Sequence, residues 1–141
     1  MGIRRQAREW ALQFLFQRDL NRGDLAAALE LFWEDKPGPP KARAYAEELI
    51  HGVERRRPEL DKLIKRYAEH WDVKRMGGVD RNAIRIGLHE MTTTSGVPPV
   101  VAIDEAVEIA KQYSSNESAR FVNGILDRAL RDARATQAKA D

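Results

Sequence analysis

Apolar residues recur at intervals of three and four along almost the whole chain, and alternating, strand-like segments are nearly absent. This pattern predicts helices. A first runs roughly from Gln6 to Leu20, with Ile3, Ala7, Trp10, Ala11 and Phe14 on one face, and stops near Asn21 and Gly23. A short second helix, about Leu25 to Trp33, repeats Ala26, Leu29 and Trp33. The stretch Asp35 to Pro40 then breaks the pattern, because its prolines lack N–H groups and restrict the backbone. A third helix from Ala42 to about Glu54 carries Tyr45, Leu49 and Val53 on one side. Pro58 suits the first turn of a fourth, whose buried face reads Leu60, Leu63, Ile64, Tyr67 and Trp71.

The period fades over Asp72 to Gly78, after which Asp80 reads as the N-cap of a fifth helix striped by Ile84, Leu88 and Met91. Thr92 to Pro99 reads as loop. Ala102 to Tyr113 is the cleanest amphipathic segment, with Ile103, Ala106, Val107, Ala110 and Tyr113 opposed to Asp104, Glu105, Glu108 and Gln112. A last helix, about Glu117 to Arg131, turns Val122, Ile125, Leu126 and Ala129 inward, and residues 134–141 read as a flexible polar tail. Phe121, at the edge of that inward face, is either core or a partly exposed stacking ring. Gly124 lies inside the same helix, where glycine costs about 1 kcal/mol relative to alanine, and a close helix contact is its simplest explanation. Asn123 either bonds across a helix pair or is solvated. The sum is a seven-helix, all-α bundle.

Composition narrows the function. With 141 residues, 43% hydrophobic and 33% charged, the chain has the makings of one folded domain or two tightly packed halves. The lack of cysteine excludes disulfides, a thiol nucleophile and thiolate zinc sites. No apolar run reaches membrane-spanning length and the N-terminus does not resemble a secretion signal, so a cytoplasmic protein is expected. His51, His70 and His89 form no i,i+4 ligand pair; Asp104 and Glu105 are neighbours on a polar face; Gly77-Gly78 lacks the ending of a phosphate loop. No metal, cofactor or catalytic centre is expected.

Charge distribution is more informative than the net value of +2. Arg4, Arg5 and Arg8 head the first helix, where unpaired N–H groups already make the potential positive, so they gain little for folding unless an anion meets them. At about 100° per residue, Arg5, Arg8, Leu12 and Phe16 share a strip away from the apolar face. Guanidinium beside an exposed ring suits single-stranded RNA, with phosphate on arginine and a base on the ring. A solubilising N-terminus, with Leu12 and Phe16 packed under a neighbouring helix, is the alternative.

Three blocks in order carry a more specific signal: Arg85-Ile86-Gly87-Leu88-His89-Glu90-Met91 followed by Val97-Pro98, then Ala102 to Lys111, then Phe121-Val122-Asn123-Gly124-Ile125-Leu126-Asp127. Together with the Arg4 to Glu9 opening they resemble the NusB family of bacterial transcription antitermination factors. The resemblance implies a single domain over 1–141 with helical subdomains near 1–56 and 57–133. It also implies a non-enzymatic protein that joins NusE, a small-subunit ribosomal protein, and binds single-stranded boxA RNA. The RNA polymerase elongation complex with other Nus factors is then a further partner. The family's RNA surface corresponds here to Arg4, Arg5, Arg8, Phe16, Glu117 and Phe121, and a separate partner face to the region of Asp80. Phe16 and His89 stand where relatives commonly have tyrosine, and Asp104 where they commonly have asparagine. A ribosomal RNA-binding module without antitermination activity and a helical protein-interaction scaffold are the alternatives.

Overall fold

A computed structural model describes residues 2–93 and 96–140, and its described residues form six α-helices and one 3₁₀ turn with no strand. The helices are α1 (Ile3–Leu20), α2 (Leu25–Trp33), α3 (Pro40–Tyr67), α4 (Gly78–Met91), α5 (Pro99–Tyr113) and α6 (Asn116–Ala140), with the 3₁₀ turn at Val73–Arg75.

The all-α expectation holds, and the count falls from seven to six because the third and fourth expected helices are one. Pro58 lies inside α3 rather than at a new start. A proline within a helix costs about 3 kcal/mol through its lost hydrogen bond and ring clash. Burial offsets it: Leu49, Ile50 and Val53 before the proline and Leu60 and Ile64 after it are all core residues. Continuing one helix through Pro58 places both sets in the core. The expected boundary at 56/57 therefore falls in unbroken helix.

α4 is the hub. It packs on α1, α3, α5 and α6, and every residue from Asn82 to Glu90 is buried. α4 starts earlier than expected, at Gly78, with Gly77 as its cap; Asp80 sits in the first turn, where its charge complements the helix dipole. Gly87 lets α5 and α6 close on α4: a Cβ there would stand 2.8 Å from Leu126 and 3.1 Å from the Cβ of Ala106. Gly124, the glycine expected at a helix contact, has no such neighbour within 4 Å.

Buried polar residues of α4 are matched by other helices. Asp19 at the end of α1 accepts from Arg57, Arg81, Asn82 and Arg85, while Arg85 also forks onto Asp61 at 2.8 and 2.9 Å. Burial alone would raise the Asp19 carboxyl, but its bonds to Asn82 and the three arginines bring it down to about 2. α2 is held to α1 by edge-to-face rings, Trp10 on Trp33 and Phe14 on Phe32, each with centroids 5.4 Å apart. Ala26, expected on its apolar face, is exposed.

α6 continues through Arg134 to Ala140, past the expected helix end, and its side chains from Ala133 to Lys139 are exposed. α3 ends at Tyr67, before Trp71, which lies 57% exposed rather than on a buried face.

Candidate nucleic-acid interface

Arg4, Arg5 and Arg8 lie in the first turns of α1, which has no acidic residue there to balance the helix dipole. The balance comes from other helices. Arg8 forks onto Glu90 of α4, Nε to Oε1 at 2.8 Å and Nη2 to Oε2 at 3.0 Å, and its Nη1 donates to Glu105 of α5 at 3.3 Å. Tyr45 of α3 donates its hydroxyl to the same Glu90 carboxylate. With Arg8 3% and Glu90 1% exposed, this is a buried strut joining four helices. Burial would draw the Arg8 pKa down, yet the hydrogen bond and charge of Glu90 outweigh it and hold the pKa above its ordinary value. Burial and the Glu90 bond likewise push the Tyr45 hydroxyl up.

The expectation that Arg8 lies on an open strip of α1 is thus corrected, as is the placing of Leu12, which is 2% exposed. α1 packs against α3, α4 and α5 together, so its buried arc is wider than the apolar stripe and takes in both residues. Arg4 and Arg5 remain at the surface. The Arg5 Nη2 donates to Glu105 Oε2 at 2.6 Å with the side chain still 39% exposed, and the exposed Arg4 holds its guanidinium 5.1 Å from the Tyr45 ring centre.

From there α1 and α5 run side by side in the same direction. Arg5 and Arg8 meet Glu105; Glu9 accepts from Tyr113 at 2.8 Å and from Gln112 at 3.4 Å; Gln13 donates to Tyr113 at 3.0 Å. Phe16 follows about one turn later, 39% exposed, with its ring over Gly78, where an added Cβ would lie 2.7 Å from it. Only glycine at the start of α4 lets the ring settle there.

Beside Gly78 opens a groove of about 200 Å³ lined by residues that include Trp71, Arg75, Gly77, Asp80, Glu117 and Phe121. Glu117 is exposed in the first turn of α6. Phe121, one turn on, is half-buried and meets Trp71 edge-on, centroids 5.4 Å apart and planes at 71°. Both readings of Phe121 are therefore partly right: it packs on the core and offers a ring. Asp80 lines the same groove as Glu117 and Phe121. Nothing in the spacing of the sequence joined Asp80 to Glu117, since the link is made by the turn over residues 72–77.

Sequence reasoning missed Trp71 and Arg75. Spacing gave no signal for Trp71, which is in phase with Leu60, Ile64 and Tyr67; the end of α3 at Tyr67 is what leaves it exposed. Asp104 is exposed on α5. His89 packs its ring against Gly52 and places Nδ1 3.0 Å from Arg56 Nη1.

No group of His, Cys, Asp and Glu among the described residues is placed to hold a metal, and no helix among them is long and apolar enough to cross a membrane. The interface is aromatic, with arginine at its upper end and carboxylate in its groove. Such a surface can stack bases, attract phosphate and accept hydrogen bonds from base N–H groups.

The NusB family model matches residues 5–131 of the chain. The transcription antitermination protein NusB of Sorangium cellulosum is 43% identical over 128 residues, covering 91% of each protein. A solved structure of T. maritima NusB superposes with a TM-score of 0.78 at 37% identity, covering 89% of this chain and 88% of that one. A crystal structure of antitermination factors NusB and NusE in complex with dsRNA contains a chain that superposes with a TM-score of 0.80 at 29% identity, covering 91% and 96%.

Proposed function

The chain belongs to the NusB family, and from that premise we propose how it acts: with NusE it binds boxA RNA and supports antitermination of ribosomal RNA transcription within the elongation complex. It is an assembly factor of a non-enzymatic kind, and no chemical step is assigned to its residues. The observation that carries the reading is the aromatic surface formed by Phe16 and by the Trp71–Phe121 pair, next to the carboxylate groove, in a chain of this family.

Each residue has a proposed part. Arg4 and Arg5 attract phosphate at the α1 end, where the first is exposed and the second only partly satisfied by Glu105. Arg8 is a positioning residue, locking α1 onto Glu90. Phe16 and Phe121 stack bases, and Glu117 accepts hydrogen bonds from base amino or imino groups. Phe16 stacks as a tyrosine would but has no hydroxyl to donate. Asp80 attracts a basic partner protein, and its place in the same groove puts protein and RNA edge to edge. Binding one then shapes the site for the other.

Reconstituted transcription of a boxA-bearing template tests this. Readthrough of a terminator should rise when the chain and NusE are both present with the other Nus factors, and Phe121→Ala should reduce the rise. RNA binding with no change in readthrough would contradict the antitermination role and favour a ribosomal RNA-binding module.

A further inference from the structure

Trp71 divides two concavities. One is the groove that holds Asp80 and Glu117; the other is a hollow of about 190 Å³ between the end of α3 and α6, whose lining includes His70, Arg120, Gly124 and Arg128, with Glu69 as its acid. Three independent features of this second hollow point the same way. Trp71 is left 57% exposed, whereas Trp10 and Trp33 are 6% and 7% exposed in the core. Its ring is braced edge-on by Phe121 and so is held without being covered.

Gly124 is the second feature. It lies well inside α6, where glycine weakens a helix relative to alanine, and apart from its chain neighbours and the backbone of its own helix nothing comes within 4 Å of where its Cβ would stand. Gly87 and Gly78 are explained by the side chains that press on them; Gly124 is not. The third feature is charge. Arg120 is exposed and has no ion-pair partner among the described residues, while Arg128 donates to the Tyr67 carbonyl at 2.6 Å, a contact that leaves its positive charge uncancelled. The hollow offers an open indole, two arginines and, at Gly124, a place on α6 where no other element closes in.

We propose that this hollow is a second nucleotide site. RNA leaving Phe121 continues over Trp71, which stacks one further base, while Arg120 and Arg128 hold its phosphate and the chain passes close over Gly124. A methyl group at Gly124 stands in that path. The inference rests on RNA binding at Phe121 and extends the footprint beyond the surface that the family resemblance supplies.

The test uses the full chain with NusE, titrated with boxA RNA and with the same RNA lengthened by a few nucleotides at either end. Trp71→Ala should weaken binding of the longer RNA by about 5- to 100-fold, and Trp71→Phe, which keeps a ring, by much less. Gly124→Ala should fold at least as stably as the parent chain and yet bind the longer RNA several-fold more weakly, as should Arg120→Gln. The longer RNA should also quench tryptophan fluorescence in the parent chain but not in Trp71→Phe, because the remaining two indoles are buried.

If Phe121→Ala weakens binding while Gly124→Ala and Arg120→Gln bind like the parent and no quenching occurs, the second site is overturned and the first stands. Failure of the parent complex to bind either RNA overturns both. Loss of NusE affinity in these variants with RNA affinity unchanged also overturns the site, assigning the hollow to a protein contact.

Discussion

His89 occupies a place where a positive charge is poorly tolerated: burial first, and then the Arg56 guanidinium against its ring, bring its pKa down to about 4 from an ordinary 6.5. Arg55 adds to the depression, and Glu90 and Glu59 oppose it. Between those two values the unfolded chain takes up a proton that the folded chain refuses, so stability falls as pH drops from about 6.5 toward 4 and this contribution levels off below. The loss amounts to up to about 3 kcal/mol. Asp19 acts in a separate window, since its contribution is present above the unfolded value near 3.8 and is lost as pH falls through about 2. Urea unfolding at pH 7, 5.5 and 4.5 should show the decline in the parent chain and a shallower one in His89→Gln; equal slopes would contradict the assignment. Arg8 shows how far such residue-level chemistry is legible in sequence. Helical angle placed Arg5, Arg8 and Phe16 on one side of α1, and Arg5 and Phe16 are accessible there. The angle carries no information about what stands opposite. The carboxylates that claim Arg8 come from positions 82 and 97 residues away, so only packing of α4 and α5 onto α1 turns an apparent phosphate ligand into a buried strut.

At the scale of elements, periodicity found a segment for each of the six described α-helices, because their apolar residues recur at three and four; even α4, buried all round from Asn82 to Glu90, keeps the Ile84 and Leu88 stripe. It misjudged the junction at Pro58. A local rule that starts helices at proline lost to the common burial of Val53, Leu60 and Ile64, which a continuous α3 preserves. The same helix ends at Tyr67 and not at Trp71, and that difference turns a residue read as core into an open ring. Glycines show the opposite error. The tight helix contact expected at Gly124 is absent there and is met at Gly87, where α5 and α6 close on α4. Gly87→Ala should therefore destabilise the fold by about 1–3 kcal/mol, as overpacking in a core does, although alanine is the better helix former. A thermal melt measures it. An unchanged or higher melting temperature would mean that the α4–α6 contact yields without cost.

For the molecule as a whole, a net charge of +2 is too small to bind RNA strongly by attraction alone, and phosphate contacts say little about base identity. The structure sharpens that point. With Arg8 withdrawn into the core, the α1 end offers Arg4 and a partly satisfied Arg5, and the remaining interface is rings and carboxylates. On the proposed function, selectivity comes from stacked bases, hydrogen bonds to Glu117 and a second protein that extends the surface. Asp80 lines the same groove as Glu117 and Phe121; on the proposed function a partner seated at Asp80 would reach RNA in that groove, and the two contacts would share one association cost. The most direct measurement is a titration of boxA RNA and of a scrambled strand of equal length, with the chain alone and with the chain bound to NusE. Tighter and more boxA-selective binding by the complex, weakened about 5- to 100-fold by Phe121→Ala, is the predicted result. Equal affinity for the two RNAs in the presence of NusE, or affinity indifferent to Phe121, would contradict it.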